Sequence, residues 1–225
     1  MANYTRLEVY EAMLTSSLVP LFYHPDVETA KEVVKACYQG GAKLMEITNR
    51  GDMAFPVFTQ LNAFIKEAKL PLILGVGSII DAPTAALYIN HGVNFVVSPT
   101  LNPDVARLCN RRKIPYIPGI GSVTEISDAE ELGAEIVKIF PGNSVGGPEF
   151  VKAVLGPMPW TRLMPTGGVE ATQESIHSWI KAGACCLGMG SNITRKEWLA
   201  NKDFQSIENT VRQVLEWIKS AREKK

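Results

Sequence analysis

The sequence lacks most of the features that assign a protein quickly. Neither sign of charge dominates: 23 lysines and arginines face 23 aspartates and glutamates among 225 residues, so nothing global draws the chain to nucleic acid or to an anionic membrane. No apolar run reaches about 18 residues and no basic stretch precedes an apolar one at the start, so neither a membrane span nor an export signal is expected, and a cytoplasmic location is. Only Cys37, Cys109, Cys185 and Cys186 carry thiols, without C-x-x-C spacing, and buried reduced cysteines are expected in place of a zinc site. His24, His91 and His177 are scattered without metal-ligand spacing and read as structural or surface residues. No P-loop and no dinucleotide fingerprint occurs, so no metal or organic cofactor is expected. Trp160, Trp179, Trp198 and Trp217 read as helix-packing and outer-shell residues, not as a stacking platform.

What is present is a hydrophobic content of 46% and a strong repeat of strand and helix signals, enough for one domain spanning residues 1–225. Short apolar runs expected as strands fall at 17–23, 43–48, 71–76, 93–98, 114–118, 135–140, 161–166 and 184–189. Helices are expected between them, started by Asp26, by Asp81 with Pro83, by Asn102 with Pro103 and by the capping-box spacing of Ser122 and Glu125. Gly-Ala or Gly-Val pairs at Gly41, Gly92, Gly133 and Gly183 end helices just before the next strand. The strands begin roughly every 21 to 28 residues, room for one strand and one helix each, which predicts an α/β fold of the (β/α)8 TIM-barrel type, with a doubly wound sheet as the other arrangement. Further helices are expected at 3–15 and at 203–222, the latter with Phe204, Ile207, Val211, Val214, Leu215 and Ile218 as its apolar stripe.

Against this background two residues break the pattern. Lys138 sits in Glu-Ile-Val-Lys-Ile-Phe-Pro-Gly (135–142), an interior strand by every other residue, and Glu46 sits in Leu-Met-Glu-Ile-Thr (44–48). Alternation gives Lys138 the face of Ile136 and Phe140, and Glu46 the face of Leu44 and Thr48. If both faces turn inward, an amine and a carboxylate meet in a barrel interior normally filled by aliphatic side chains. The structural alternative is a snorkelling lysine or a plain buried ion pair. Desolvation favours a neutral amine, which is a nucleophile toward carbonyl carbon.

Other strand ends look built for anionic and carbonyl ligands: Gly75-Val-Gly-Ser78, Ser98-Pro99, Thr166-Gly167-Gly168 and Gly188-Met-Gly190-Ser191. The last two follow the seventh and eighth strands, where barrels of this kind bind phosphate through exposed backbone N–H groups. Arg50, just past the second strand, has the planar fork that suits a carboxylate.

Taken in order, Met45-Glu-Ile-Thr-Asn-Arg50, Gly75-Val-Gly-Ser-Ile79, Ser98-Pro99, Ile117-Pro-Gly-Ile120, Val137-Lys-Ile-Phe-Pro141 and Pro165-Thr-Gly-Gly-Val169 resemble the 2-keto-3-deoxy-6-phosphogluconate (KDPG) and 4-hydroxy-2-oxoglutarate (KHG) aldolases, class I Schiff-base enzymes, over about residues 19–191. The resemblance implies Lys138 as the Schiff-base lysine and Glu46 as general acid/base. It implies Arg50 and Ser78 on the pyruvyl carboxylate, Pro99 and Phe140 as pocket walls, and Gly167, Gly168 and Ser191 on the phosphate. Thr166 and Gly190, in the same two loops, are added as substrate-binding positions. It further implies a sugar-acid phosphate of the 2-oxo acid class as substrate, pyruvate as product, no metal, and a homotrimer. Asn49 and Gly51 stand where Leu and Thr are more usual, and Ser78 where Thr is commoner; serine keeps the hydroxyl. A galactonate-derived substrate, a phosphate-binding barrel isomerase or synthase, and a non-catalytic sugar-phosphate-binding barrel are the competing readings. Neither the isomerase nor the binding barrel needs an amine in the sixth strand.

Overall fold

The computed structural model describes residues 2–223. The strands are β1 (Leu18–Phe22), β2 (Leu44–Thr48), β3 (Ile73–Gly77), β4 (Val96–Val97), β5 (Tyr116–Ile117), β6 (Gly119–Ile120), β7 (Val137–Ile139), β8 (Leu163–Pro165) and β9 (Leu187–Met189). Every pairing is parallel, in a sheet of order β5-β4-β3-β2-β1-β9 and another of order β6-β7-β8. A single bridge, Thr166 to Gly188, links the end of β8 to β9. The result is a mixed α/β fold with parallel strands, and the pairing is not one unbroken eight-stranded ladder. The break has a local cause: the strand expected at 114–118 is divided into β5 and β6 at Pro118, which has no N–H to donate.

The helices are α1 (Arg6–Ser16), α2 (Val27–Gln39), α3 (Ala54–Glu67), α4 (Ala82–Asn90), α5 (Pro103–Arg112), α6 (Val123–Glu131), α7 (Gly147–Leu155), α8 (Gln173–Ala182), the short α9 (Lys196–Ala200) and α10 (Phe204–Glu223). Their starts are those the sequence marks. Asp26, Asp81 and Asn102 accept hydrogen bonds from the first-turn N–H groups of α2, α4 and α5. Ser122 caps α6, but the Glu125 carboxylate reaches one residue further back than a capping box requires, to the Gly121 N–H at 2.8 Å. Gly183 ends α8 with φ at 112°, a left-handed conformation that glycine takes without strain.

Two apolar cores lie on the two faces of the strands. Met45, Ile47, Leu74, Val76, Val137, Ile139, Leu163 and Leu187 belong to the core shared with the surrounding helices. Val19, Leu44, Ile73, Phe95, Val97, Ile117, Ile136, Met164 and Cys186 form a second core, and α1 buries Val9, Tyr10 and Met13 against it. Each of those side chains contributes about 1.5–3 kcal/mol by leaving water. Leu44 and Ile136 therefore mark the interior face, and Glu46 and Lys138, two residues further along the same strands, share it. Helix α10 buries Ile207, Val211, Val214, Ile218 and Ala221, packing against α8 and α2.

The minor residue types fall mostly where expected. The four cysteines are free; Cys37, Cys109 and Cys186 are buried and Cys185 partly so. Burial pushes the thiols of Cys37, Cys109 and Cys185 up to about 12, so they are inert at neutral pH. His91 lies edge-on to Phe55 and His177 bonds Ser220. Trp160 departs from the packing role expected of it: the residue is 66% exposed.

Candidate active site

The site is built on the C-terminal ends of the strands. Glu46 on β2 is 1% exposed and Lys138 on β7 is 3% exposed. No ion pair or direct hydrogen bond joins them among the described residues, and the Glu46 Oε2 atom is buried without a hydrogen-bond partner. Lys138 Nζ lies 4.9 Å from the centroid of the Phe140 ring. Burial, opposed by Lys138 and Arg50, holds the Glu46 carboxyl above its ordinary range. Burial holds the Lys138 amine below its ordinary range; Glu46 opposes that shift and Arg50 adds to it. Both groups are thus biased toward neutrality, as a nucleophilic amine and a proton-exchanging carboxyl require.

Interior glycines give these long side chains room. A side chain at Gly77 on β3 would overlap the Glu46 carboxylate, one at Gly75 would enter the Phe95 ring, and one at Gly188 would meet the Thr166 hydroxyl. Gly119 is the register partner of Lys138, and a side chain there would strike the backbone of Pro99. The candidate wall residue Pro99 is therefore set one strand from the lysine. The Thr166 hydroxyl is buried in the interior beside Gly188, without a hydrogen-bond partner among the described residues.

At one side of the mouth, Arg50 Nε donates to Ser78 Oγ at 3.0 Å. Ser78 adopts φ of 61°, a left-handed conformation that costs a non-glycine residue on the order of 1 kcal/mol, which its bonded environment offsets. At the other side, Gly167 and Gly168 take φ of 84° and 78°. Two such residues in succession bend the backbone sharply in a way that only glycine takes without strain. Gly190 is half-buried and Ser191 exposed in the neighbouring loop.

Three residues supporting that corner were not expected as functional. Asn192 Nδ2 donates to the Val169 carbonyl at 2.9 Å and ties the two loops together. Asn143 lies against Gly168, where any side chain would overlap it, and Trp179 Nε1 donates to the Gly168 carbonyl at 3.4 Å. Nothing in their spacing marks them, because the contacts cross between loops that only the fold brings together. A cavity of about 740 Å³ also opens at the opposite end of the strands, between α1 and α10. Neither Glu46 nor Lys138 lines it, and it offers no comparable pair of desolvated groups. Among the described residues, no three His, Cys, Asp or Glu side chains group as metal ligands, and no helix is long and apolar enough to cross a membrane.

A parallel α/β fold with a buried, unpaired lysine facing a buried carboxyl defines a protein able to form covalent adducts with carbonyl compounds. The chain belongs to the KDPG and KHG aldolase family, whose profile matches residues 9–210. It is 30% identical over 212 residues to a 2-dehydro-3-deoxy-phosphogluconate aldolase of Treponema pallidum, covering 94% of this chain and 98% of that one. It is 28% identical to the KHG/KDPG aldolase of Escherichia coli K12, covering 93% and 96% of the two chains. Among solved structures, the KDPG aldolase of Legionella pneumophila, captured with pyruvate as a covalent carbinolamine intermediate, superposes with a TM-score of 0.82 at 25% identity, covering 90% of this chain and 96% of that one.

Proposed function

We propose that this chain is a metal-independent class I aldolase. It cleaves 2-keto-3-deoxy-6-phosphogluconate to pyruvate and glyceraldehyde 3-phosphate, 4-hydroxy-2-oxoglutarate to pyruvate and glyoxylate, or both. The observation that carries the reading is Lys138, almost fully buried, unpaired, and sharing the strand interior with Glu46. The neutral amine attacks the C2 ketone to give a carbinolamine, and loss of water gives an iminium. Glu46, directly or through a water, takes the proton of the C4 hydroxyl. The C3–C4 bond breaks, its electron pair flows into the iminium to form an enamine, and the aldehyde leaves. Protonation at C3 and hydrolysis release pyruvate and return the amine.

In this reading Arg50 and Ser78 hold the carboxylate, Pro99 and Phe140 wall the pocket, Gly167, Gly168 and Ser191 receive the phosphate, and Thr166 and Gly190 are further substrate-binding positions. A phosphate-binding isomerase or synthase would account for the glycine loops but not for a desolvated amine facing a carboxyl.

We further read the strands as one closed (β/α)8 barrel within a single domain. Tyr116–Ile120 then counts as one strand bent at Pro118, and the Thr166–Gly188 bridge joins the remaining edges. Helix α10, between α8 and α2, takes the place of the eighth outer helix, leaving α1 as the N-terminal addition over the barrel floor. A cytoplasmic homotrimer acting on small molecules, with no role for nucleic acid or membrane, completes the proposal on the strength of the family.

The test is borohydride trapping with pyruvate in the presence of a chelator, followed by peptide mass mapping. A pyruvyl adduct confined to Lys138, and none in Lys138→Met, is expected, the methionine filling similar volume without the amine. Absence of an adduct from folded wild-type protein, or wild-type turnover by Lys138→Met, overturns the mechanism.

A further inference from the structure

The loop that carries Arg50 is framed by two tyrosines. Tyr88 of α4 is 1% exposed, its ring edge-on to Phe55 and Phe58 with centroids 5.3 and 5.0 Å away. Its hydroxyl leaves this apolar cluster by one route, donating to Asn49 Oδ1 at 2.9 Å. Asn49 in turn donates its backbone N–H to the Gly77 carbonyl at 2.8 Å, fixing the loop to the end of β3 beside Ser78. On the other side Tyr23 stands over Gly51: a Cβ there would lie 2.9 Å from both Cε1 and Oη of the ring. Arg50 sits between these two anchored residues. Its Nε is engaged by Ser78, and both Nη groups make no hydrogen bond among the described residues. Asn49 and Gly51 are the positions where this chain carries neither Leu nor Thr, and each now has a physical partner.

We propose that Tyr88 is a positioning residue, acting through Asn49 to set the Arg50 guanidinium for carboxylate binding. Leucine at position 49 would strand the Tyr88 hydroxyl in an apolar cluster, whereas asparagine turns it into a strut between α4 and the clamp loop. A planar, bidentate donor depends on such support, since its advantage over a flexible ammonium is geometric. The assignment deepens the aldolase reading and rests on it.

The experiment measures the pyruvate concentration that half-saturates borohydride trapping, together with thermal stability, for wild type, Tyr88→Phe, Asn49→Leu and the double variant. Tyr88→Phe should raise the half-saturating concentration roughly three- to tenfold, the net worth of one hydrogen bond, with the maximal trapping rate within about twofold. Asn49→Leu should show the same weakening and also melt earlier, because the Tyr88 hydroxyl is then unpaired. In the double variant the melting temperature should recover while the half-saturating concentration stays raised. A wild-type value in Tyr88→Phe, or recovery of both quantities in the double variant, overturns the positioning role while leaving the aldolase intact. Failure of the wild type to trap pyruvate removes the aldolase reading and this assignment together.

Discussion

Adding one methyl group at Gly77 should disable the carboxyl without touching the lysine. Gly77 lies on β3 opposite Thr48, and its missing Cβ position falls inside the Glu46 carboxylate and 2.9 Å from Cγ, whereas real Cβ atoms essentially never come within 3.0 Å of a neighbour. In Gly77→Ala the carboxylate has to withdraw by about 1 Å or more. A displacement of that size from the reacting atoms costs on the order of 10²-fold, and complete loss of a general acid/base about 10²- to 10⁴-fold. A fall in kcat of about 10²-fold is therefore expected in a cleavage assay that follows pyruvate through lactate dehydrogenase. Pyruvyl trapping at Lys138 should persist within several-fold. Gly75→Ala is the control: its methyl enters the Phe95 ring instead, so it should lower the melting temperature by several degrees through overpacking. A Gly77→Ala enzyme with kcat within about threefold of wild type would refute the role assigned to Glu46.

Three further outcomes follow from the charges. Below its folded pKa Lys138 is protonated and unreactive, and that pKa is lowered from 10.5 by burial, so the trapping rate should level off below pH 10.5. Glu46 opposes the lowering, so Glu46→Gln should move the midpoint to still lower pH; an unchanged or higher midpoint in the pH profile would show that the two groups are not coupled. Ser191→Asp should reduce kcat/KM for the phosphorylated sugar acid about tenfold or more by like-charge repulsion, and spare 4-hydroxy-2-oxoglutarate; parallel losses would place the phosphate elsewhere.

Much of this fold is written in local signals. Asp26, Asp81 and Asn102 cap the helices they announce because an N-cap needs only its own next few residues. The interior face of β2 and β7 was also legible, since strand alternation is strict and Leu44 and Ile136 fix its phase. The division at Pro118 was harder to foresee: a proline's missing donor interrupts a ladder only if the neighbouring strand asks for it, which is a tertiary fact. The same limit hid the roles of Asn49 and Gly51. In the sequence they read as odd neighbours of an arginine; their partners, Tyr88 and Tyr23, come from residues far along the chain or across the strand end.

The arrangement of Glu46 and Lys138 is hard to explain as architecture. Two ionisable groups buried in a strand interior gain stability only when they pair closely and satisfy their remaining hydrogen bonds, and apolar residues of similar volume usually do as well or better. Here Glu46 keeps an unpartnered buried oxygen and Lys138 has a ring for a neighbour in place of a carboxylate. The fold even withholds side chains at Gly77, Gly75 and Gly188, so that one carboxylate, one phenyl ring and one threonine hydroxyl have space. A buried structural ion pair would close up the distance and bond both partners. What this interior holds is a carboxyl and an amine that do not pair, both biased toward their neutral forms. That is the arrangement a carbinolamine requires: an amine free to attack, and a proton carrier close by that does not already hold it.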